Sequence, residues 1–151
     1  MAKRPLDSEE LGRKGEGRLE DICVDAKLVP NRVKVDRKGW DYLVEWHHPE
    51  TDHRYDERDP SISCRVQVKT VWEGAKSIKL RLSSAEALAT DHRPAFIYIV
   101  EVSDALQFSG AYIIHLRGRF LEDLLRKLRE ARVIARAPTT SSSQCRSRAP
   151  P

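Results

Sequence analysis

The chain has 151 residues, of which 40% are hydrophobic and 33% are charged, and its formal net charge is +4. This length and composition are typical of one soluble domain that can bury a core. No apolar run approaches the roughly 18–20 residues needed to span a bilayer, and the start MAKRPLDSEEL lacks the apolar segment of a secretory signal. We therefore expect a cytoplasmic protein without a membrane partner. The positive charge permits a polyanion partner without requiring one.

The sequence argues against a disulfide framework and against a structural zinc site. Cys23, Cys64 and Cys145 are scattered and show no CxxC spacing, so we expect the first two to be small core residues. The segment 47–61, HHPETDHRYDERDPS, contains three histidines, but their spacing matches no zinc template. We interpret this segment as a charged surface loop.

The first predicted element is a helix. Asp7 begins a capping box, and apolar residues at helical spacing predict a helix over 9–29 that Pro30 ends. Gly12 and Gly15 fall on the apolar side of this helix, where we expect the backbone to approach another element closely.

Three strands are expected after this helix, then a second helix, two strands in a hairpin and a third helix. This order predicts an α/β fold, with one mixed-sheet domain over 1–136 and helices against the sheet. The second helix would begin with a capping box at Ser83. The tail 137–151 is rich in Pro, Ser and Thr, so we expect it to be disordered. The predicted strands are 32–36, 39–46, 63–72, 95–102 and 111–116, and the later helices are 83–92 and 118–133.

Polar residues occupy positions that the pattern otherwise marks as interior. Glu16 lies at the edge of the buried side of the first helix, and Asp41 lies in the strand GWDYLVEW. Gln67 and Lys69 share one face of the strand CRVQVKTV, because side chains at i and i+2 of a strand point the same way. Ordinary alternatives exist for all of them: a turn cap for Asp41, a water-facing edge strand for CRVQVKTV, and a solvated acid for Glu16.

Taken together, these residues are the ones that a metal-dependent phosphodiesterase requires. Mg²⁺ prefers hard oxygen ligands, which the Asp41 carboxylate, the Gln67 amide and the Val68 main-chain carbonyl can supply. Glu16 could reach the metal directly or through a water. Lys69 could hold the attacking water or stabilise the charge that develops on the phosphate.

The ordered motifs G-x-x-G-E16, G-W-D41 and V-Q67-V-K69-T resemble those of the PD-(D/E)xK nuclease superfamily, in particular its small bacterial branches with a QxK third motif. The resemblance spans residues 8–102. It implies a restriction-endonuclease-like αβββαβ core with a central mixed sheet flanked by helices, to which this chain adds a C-terminal strand and helix. It also implies Mg²⁺ or Mn²⁺ as cofactor, Asp41 and Gln67 as metal ligands, Lys69 as the catalytic lysine and Glu16 as the acid from the helix.

One departure from the family pattern bears on activity. Gln67 stands where an acid is usual, which leaves two carboxylates and predicts a lower metal affinity. The sequence therefore supports two related hypotheses, a metal-dependent DNA endonuclease, and a nuclease-fold module that binds nucleic acid or a partner subunit without cutting. A generic α/β interaction domain is the third.

Basic residues cluster near the predicted site in the sequence, as expected for contacts to phosphates. No separate DNA-reading module is visible, so sequence choice would require loops, a partner subunit or a homodimer. DNA is the expected partner, and RNA stays open as an alternative. The residues predicted to contact nucleic acid are Arg13, Lys14, Lys38 and Lys76.

Overall fold

The computed structural model describes residues 4–34, 39–47 and 61–136. Three helices and five strands lie within these ranges. Within them, no helix combines the length and the apolar character needed to cross a membrane. In chain order the elements are α1 (Ser8–Asp25), β1 (Leu28–Arg32), β2 (Tyr42–Trp46), β3 (Ser63–Trp72), α2 (Leu82–Ala89), β4 (Ala95–Val102), β5 (Phe108–His115) and α3 (Gly118–Arg136).

The five strands form one mixed sheet in the order β1-β2-β3-β4-β5. Strand β2 is antiparallel to both β1 and β3, β4 runs parallel to β3, and β5 returns antiparallel to β4. The parallel step requires a crossover connection, which contains α2. The sequence-based prediction of a mixed α/β domain is confirmed, and β3 is the central strand.

Side chains of β3 alternate between two apolar layers, one on each side of the sheet. Val66 packs in a cluster with Leu19 of α1. Val71 packs on the opposite side, in a cluster that includes Leu88 of α2 and Ile97 of β4. We refer to these two sides as the α1 face and the α2 face. Because the side-chain period of a strand is two, even-numbered residues of β3 belong to the α1 face and odd-numbered ones to the α2 face.

The two predicted capping boxes have different outcomes. The Asp7 carboxylate accepts the backbone N–H of Glu10 at 2.8 Å, and the Glu10 carboxylate accepts the backbone N–H of Asp7 at 2.9 Å, which confirms the first. The second is wrong, because α2 begins at Leu82 with Arg81 as its N-cap and without a side-chain capping bond. Ser83 therefore lies inside the helix, where it cannot act as an N-cap.

The first helix ends at Asp25, well before the predicted end. Lys27 takes a left-handed φ of 57°, which breaks the helical path. Pro30 does not end the helix but lies within β1, an edge strand, where a residue without an N–H is tolerated. The strand predicted at 32–36 is replaced by β1, which shares only Arg32 with it.

The two cysteines expected in the core are buried. Cys23 and Cys64 are free thiols in the core of the α1 face, as expected, and burial raises the pKa of Cys64 to about 11. Tyr42 and Trp72 also belong to this core, whereas Trp46 is 42% exposed.

Several sequence predictions lie outside the described residues. They concern Lys38, the end of the strand at 32–36, most of the loop at 47–61 and the tail 137–151.

The predicted close approach of the first helix holds at Gly15 and not at Gly12. A Cβ on Gly15 would lie 1.9 Å from Oγ1 and 3.0 Å from Cβ of Thr70, so α1 contacts β3 through the bare glycine backbone. A Cβ on Gly12 would meet nothing within 4 Å. Only Gly15 is therefore required by packing.

We predict that Gly15→Ala and Gly12→Ala change stability in opposite directions. Gly15→Ala should lower the free energy of unfolding by about 1–3 kcal/mol, because the overpacking against Thr70 exceeds the gain in helix propensity. Gly12→Ala should raise it by about 0.5–1 kcal/mol, because only the propensity term acts there. Urea denaturation followed by circular dichroism measures both. Equal stabilisation by the two alanines would contradict the close contact.

Candidate functional site

The Asp41 carboxylate lies at the start of β2, against the middle of β3. Its Oδ2 accepts the Gln67 side-chain amide at 2.7 Å and the Val68 backbone N–H at 2.7 Å. The Asp41 backbone is held as well, because its N–H donates to the Val66 carbonyl at 3.0 Å and its carbonyl accepts the Val33 N–H at 2.8 Å. The structure thus brings together Asp41, Gln67 and Val68.

This arrangement follows from where β2 begins. Tyr42 is the first residue of β2 and pairs with Val66. Val68 lies two residues after Val66 in β3, so its backbone N–H and C=O point toward the same neighbouring strand as those of Val66. No residue of β2 lies opposite them, and the Asp41 side chain takes the N–H instead. The Val68 carbonyl oxygen accepts the Gln67 amide at 3.5 Å, and the same amide nitrogen donates to the Asp41 carboxylate, so the two oxygens lie on either side of that amide.

Gln67 and Lys69 both lie on the α2 face of the central strand. Gln67 is only 7% exposed, so the alternative of a water-facing edge strand is wrong. Lys69 is half-buried, and its Cα lies opposite that of Ile99 in β4. Within the described ranges Lys69 makes no hydrogen bond or ion pair. Its ammonium group is therefore not committed to a structural contact in that part of the chain.

Glu16 lies on the other side of the sheet. Its carboxylate forms an ion pair with Arg32, whose Cα partner across the strands is Tyr42. Cross-strand partners share a face, and Tyr42 belongs to the core of the α1 face. No contact among the described residues links Glu16 to Gln67 or Lys69. The role of Glu16 as a metal ligand stays a prediction.

Glu20 of α1 is a further acidic residue in contact with the sheet, and sequence reasoning missed this contact. Its side chain is half-buried and accepts the Tyr42 hydroxyl at 2.6 Å. The pKa of Tyr42 is raised, first by burial and then by this bond to a carboxylate. The hydroxyl therefore stays protonated and ties α1 to the start of β2, next to Asp41.

The two residues before Asp41 are also held in place. Gly39 has a φ of 75°, and a Cβ there would lie 2.6 Å from Cα of Ser84 in α2. The Trp40 ring lies under the Arg65 guanidinium, whose Cζ is 3.4 Å from the ring centroid. The sequence Gly-Trp-Asp thus has a separate packing reason at each position.

A charged pair supports the Trp40 contact. Arg65 and Asp91 form an ion pair in which their side chains are only 12% and 11% exposed. Burial lowers the pKa of the Arg65 guanidinium, and the Asp91 carboxylate opposes that shift. Sequence reasoning missed both residues. A signal existed for Arg65, which precedes Gln67 and Lys69 at the same i, i+2 spacing, but none existed for Asp91.

The groups around Asp41 suit a hard cation. A carboxylate and a main-chain carbonyl are oxygen donors of the kind that Mg²⁺ and Mn²⁺ prefer. Gln67 donates its amide nitrogen to Asp41, so in this geometry it orients the carboxylate, whereas a ligand role would use its oxygen. Among the described residues no three His, Cys, Asp or Glu side chains converge. Within the described residues Asp41 supplies the carboxylate of this cluster, while Glu16 lies on the other side of the sheet.

The basic residues predicted to contact nucleic acid are spread over both faces. Arg13 forms an ion pair with Glu9, and the Lys14 ammonium lies 4.7 Å from the Phe108 ring centroid, both on α1 and away from Lys69. Lys76 lines a cavity of about 340 Å³ on the α2 face together with one residue near the end of β3 and one in the middle of β4. Those residues are Val71 and Ile99. Of these three basic residues, Lys76 is the one on the same face as Lys69. The predicted contacts of all three with nucleic acid stay predictions.

Comparison of the chain with protein-family models, with curated proteins and with solved structures finds no match. The function is therefore inferred from the geometry of this chain.

We predict that Asp91→Asn destabilises the fold by about 3–5 kcal/mol, because it leaves the buried Arg65 guanidinium without its counter-charge. The matched control is Asp123→Asn, which removes an ion pair with Arg126 whose side chains are both 62% exposed. The control should cost less than about 0.5 kcal/mol. Chemical denaturation compares the two variants. A cost for Asp91→Asn no larger than that of the control would contradict a structural role for the pair.

Proposed function

We propose that this chain is a metal-dependent nuclease that hydrolyses phosphodiester bonds of DNA. One observation carries the proposal: the Asp41 carboxylate meets Gln67 and the Val68 main chain on the central strand, with the half-buried Lys69 next on the same face. A carboxylate, a carbonyl and an ammonium group that has no partner among the described residues, brought together on one strand, are suited to phosphoryl chemistry.

The arrangement of elements supports the same proposal. The first six elements are α1, β1, β2, β3, α2 and β4, with three antiparallel strands followed by a parallel one. This is the αβββαβ order implied by the resemblance of the sequence to PD-(D/E)xK nucleases. We propose that the domain has the restriction-endonuclease-like core, extended by β5 and α3.

The chain's own residues would act as follows. Asp41 and the Val68 carbonyl would hold the cation, with Gln67 fixing the orientation of the carboxylate. A bound Mg²⁺ or Mn²⁺ would polarise the phosphate and lower the pKa of a coordinated water. Lys69 would stabilise the negative charge that develops on the phosphate oxygens. The contacts of Gly39 and Trp40 would keep Asp41 in place, which is the support that such a site needs from its surroundings.

The small number of carboxylates at the site favours a second candidate function. A single carboxylate at the cluster, with Glu16 paired to Arg32, gives a weaker cation site than three converging acids would. This favours a nuclease-fold module that binds nucleic acid, or completes a site with a partner subunit, without cutting by itself.

We predict that the purified chain nicks or linearises plasmid DNA with Mg²⁺ or Mn²⁺ and that EDTA abolishes the reaction. Lys69→Met should reduce the rate by about 10²–10³, the usual cost of removing one group that stabilises transition-state charge. Lys127→Met, at an exposed position on α3, is the matched control and should have no effect.

Three results would separate the hypotheses. Equal rates for wild type and Lys69→Met, insensitive to EDTA, would contradict the nuclease proposal. Absence of cleavage together with salt-sensitive binding of a labelled duplex would favour the binding module. Absence of both would favour a generic interaction domain.

A further inference from the structure

Strand β5 forms one edge of the sheet and has the features of a pairing surface. It carries no charged residue other than the ionisable His115 at its end, and no proline, over Phe108–His115. Its apolar side chains are exposed in the middle of the strand, with Tyr112 at 55% and Ile113 at 66%. Natural edge strands are usually blocked by Lys, Pro or a covering element.

The opposite edge of the sheet is blocked in that usual way. Directly after β1, the Val33 N–H donates to the Asp41 carbonyl, so the backbone groups of odd-numbered residues in this segment face β2 and those of even-numbered ones face outward. Pro30 is therefore at an outward position, where it offers no N–H, and Arg32 adds a charge at the next one. Within the described residues, the β1 edge carries this protection and the β5 edge does not.

The free hydrogen-bonding groups of β5 can be assigned from its neighbour. The Leu116 N–H donates to the Ala95 carbonyl, so even-numbered residues face β4. Ala111 and Ile113 consequently direct their N–H and C=O groups to the open edge, and His115 directs its N–H there, while its carbonyl accepts the Arg117 N–H at 2.9 Å. These positions are symmetric about Ile113, so a second antiparallel copy of the same strand can pair with it without a change of register.

An apolar groove adjoins this edge on the α1 face. It has a volume of about 350 Å³, and Ala111 and Ile113 contribute to its lining together with Phe96 and Tyr98 of β4. Backbone pairing of a few residues buries less than the roughly 1,200 Å² typical of a stable interface, so further apolar contact is needed. Ile113 side chains from two copies would meet at the mouth of the groove and supply it.

We propose that two copies of this chain associate through β5, in antiparallel register across a twofold axis at Ile113, to form a continuous ten-stranded sheet. A second copy suits the edge because an antiparallel edge is complementary to itself and this one carries no repelling charge near its centre. The dimer stands independently of the proposed function. Since the axis is perpendicular to the sheet, both copies of Lys69 would lie on one side, five strand spacings or roughly 24 Å apart.

The oligomeric state of the full chain tests this proposal directly. Analytical ultracentrifugation should show a species of twice the 17.3 kDa chain mass for wild type. Ile113→Lys should weaken dimerisation at least about tenfold, because it places like charges at the twofold axis. Ile62→Lys is the matched control, since Ile62 is 67% exposed and lies away from β5, and it should remain dimeric. A monomeric wild type, or an unchanged dimer in Ile113→Lys, would overturn the proposal.

A cysteine at position 113 tests the register without adding charge. In the Cys145→Ser background, Ile113→Cys should form a disulfide-linked dimer under mild oxidation, because facing residues of an antiparallel pair have Cα atoms about 5.5 Å apart. Ile62→Cys should remain uncrosslinked in the same background. Equal crosslinking of the two variants, or none in Ile113→Cys, would contradict pairing at Ile113. Circular dichroism of every variant verifies that the fold is retained.

Discussion

The site depends on one hydrogen bond in which the Asp41 side chain takes the place of a backbone acceptor from β2. Strand β2 begins at Tyr42, which leaves the Val68 N–H of the central strand without a backbone partner on that side, and the Asp41 carboxylate accepts it at 2.7 Å. A buried amide without a partner would cost roughly 1–3 kcal/mol, so the fold itself requires an acceptor at this position. The Gln67 amide donates to the same carboxylate and to the Val68 carbonyl, and these are the two oxygens that we propose as cation ligands.

The surroundings of Asp41 make that position rigid. Gly39 lies against α2, Trp40 lies under Arg65, and the Arg65 charge is balanced by Asp91. A buried ion pair of this kind adds little net stability over an apolar equivalent, but it is costly to break. The Arg65–Asp91 pair acts here by holding Trp40 in place, and thereby the backbone from which Asp41 projects. Binding and catalytic groups require such support, since small displacements reduce their effect strongly.

The sequence predicted the elements better than it predicted their ends and charge pairs. Strand 63–72 and the strand pair that follows α2 were readable because their apolar residues are dense and bounded by turns. The end of α1 was not, because Pro30 is a helix terminator by local propensity and an ordinary edge residue in the sheet. The motif order placed Asp41 and Gln67 in one site as two metal ligands, whereas in the structure Gln67 donates a hydrogen bond to Asp41. The pairs Glu16–Arg32 and Arg65–Asp91 join distant segments, and no local pattern encodes them.

The location of a bound cation tests the central claim most directly. Diffraction from crystals soaked in Mn²⁺, measured near the manganese absorption edge, would show where the ion lies. We predict one anomalous peak within about 2.3 Å of both an Asp41 carboxylate oxygen and the Val68 carbonyl oxygen, absent from Asp41→Asn crystals. A peak elsewhere on the molecule, or none at a saturating Mn²⁺ concentration, would contradict a metal-dependent site at the start of β2.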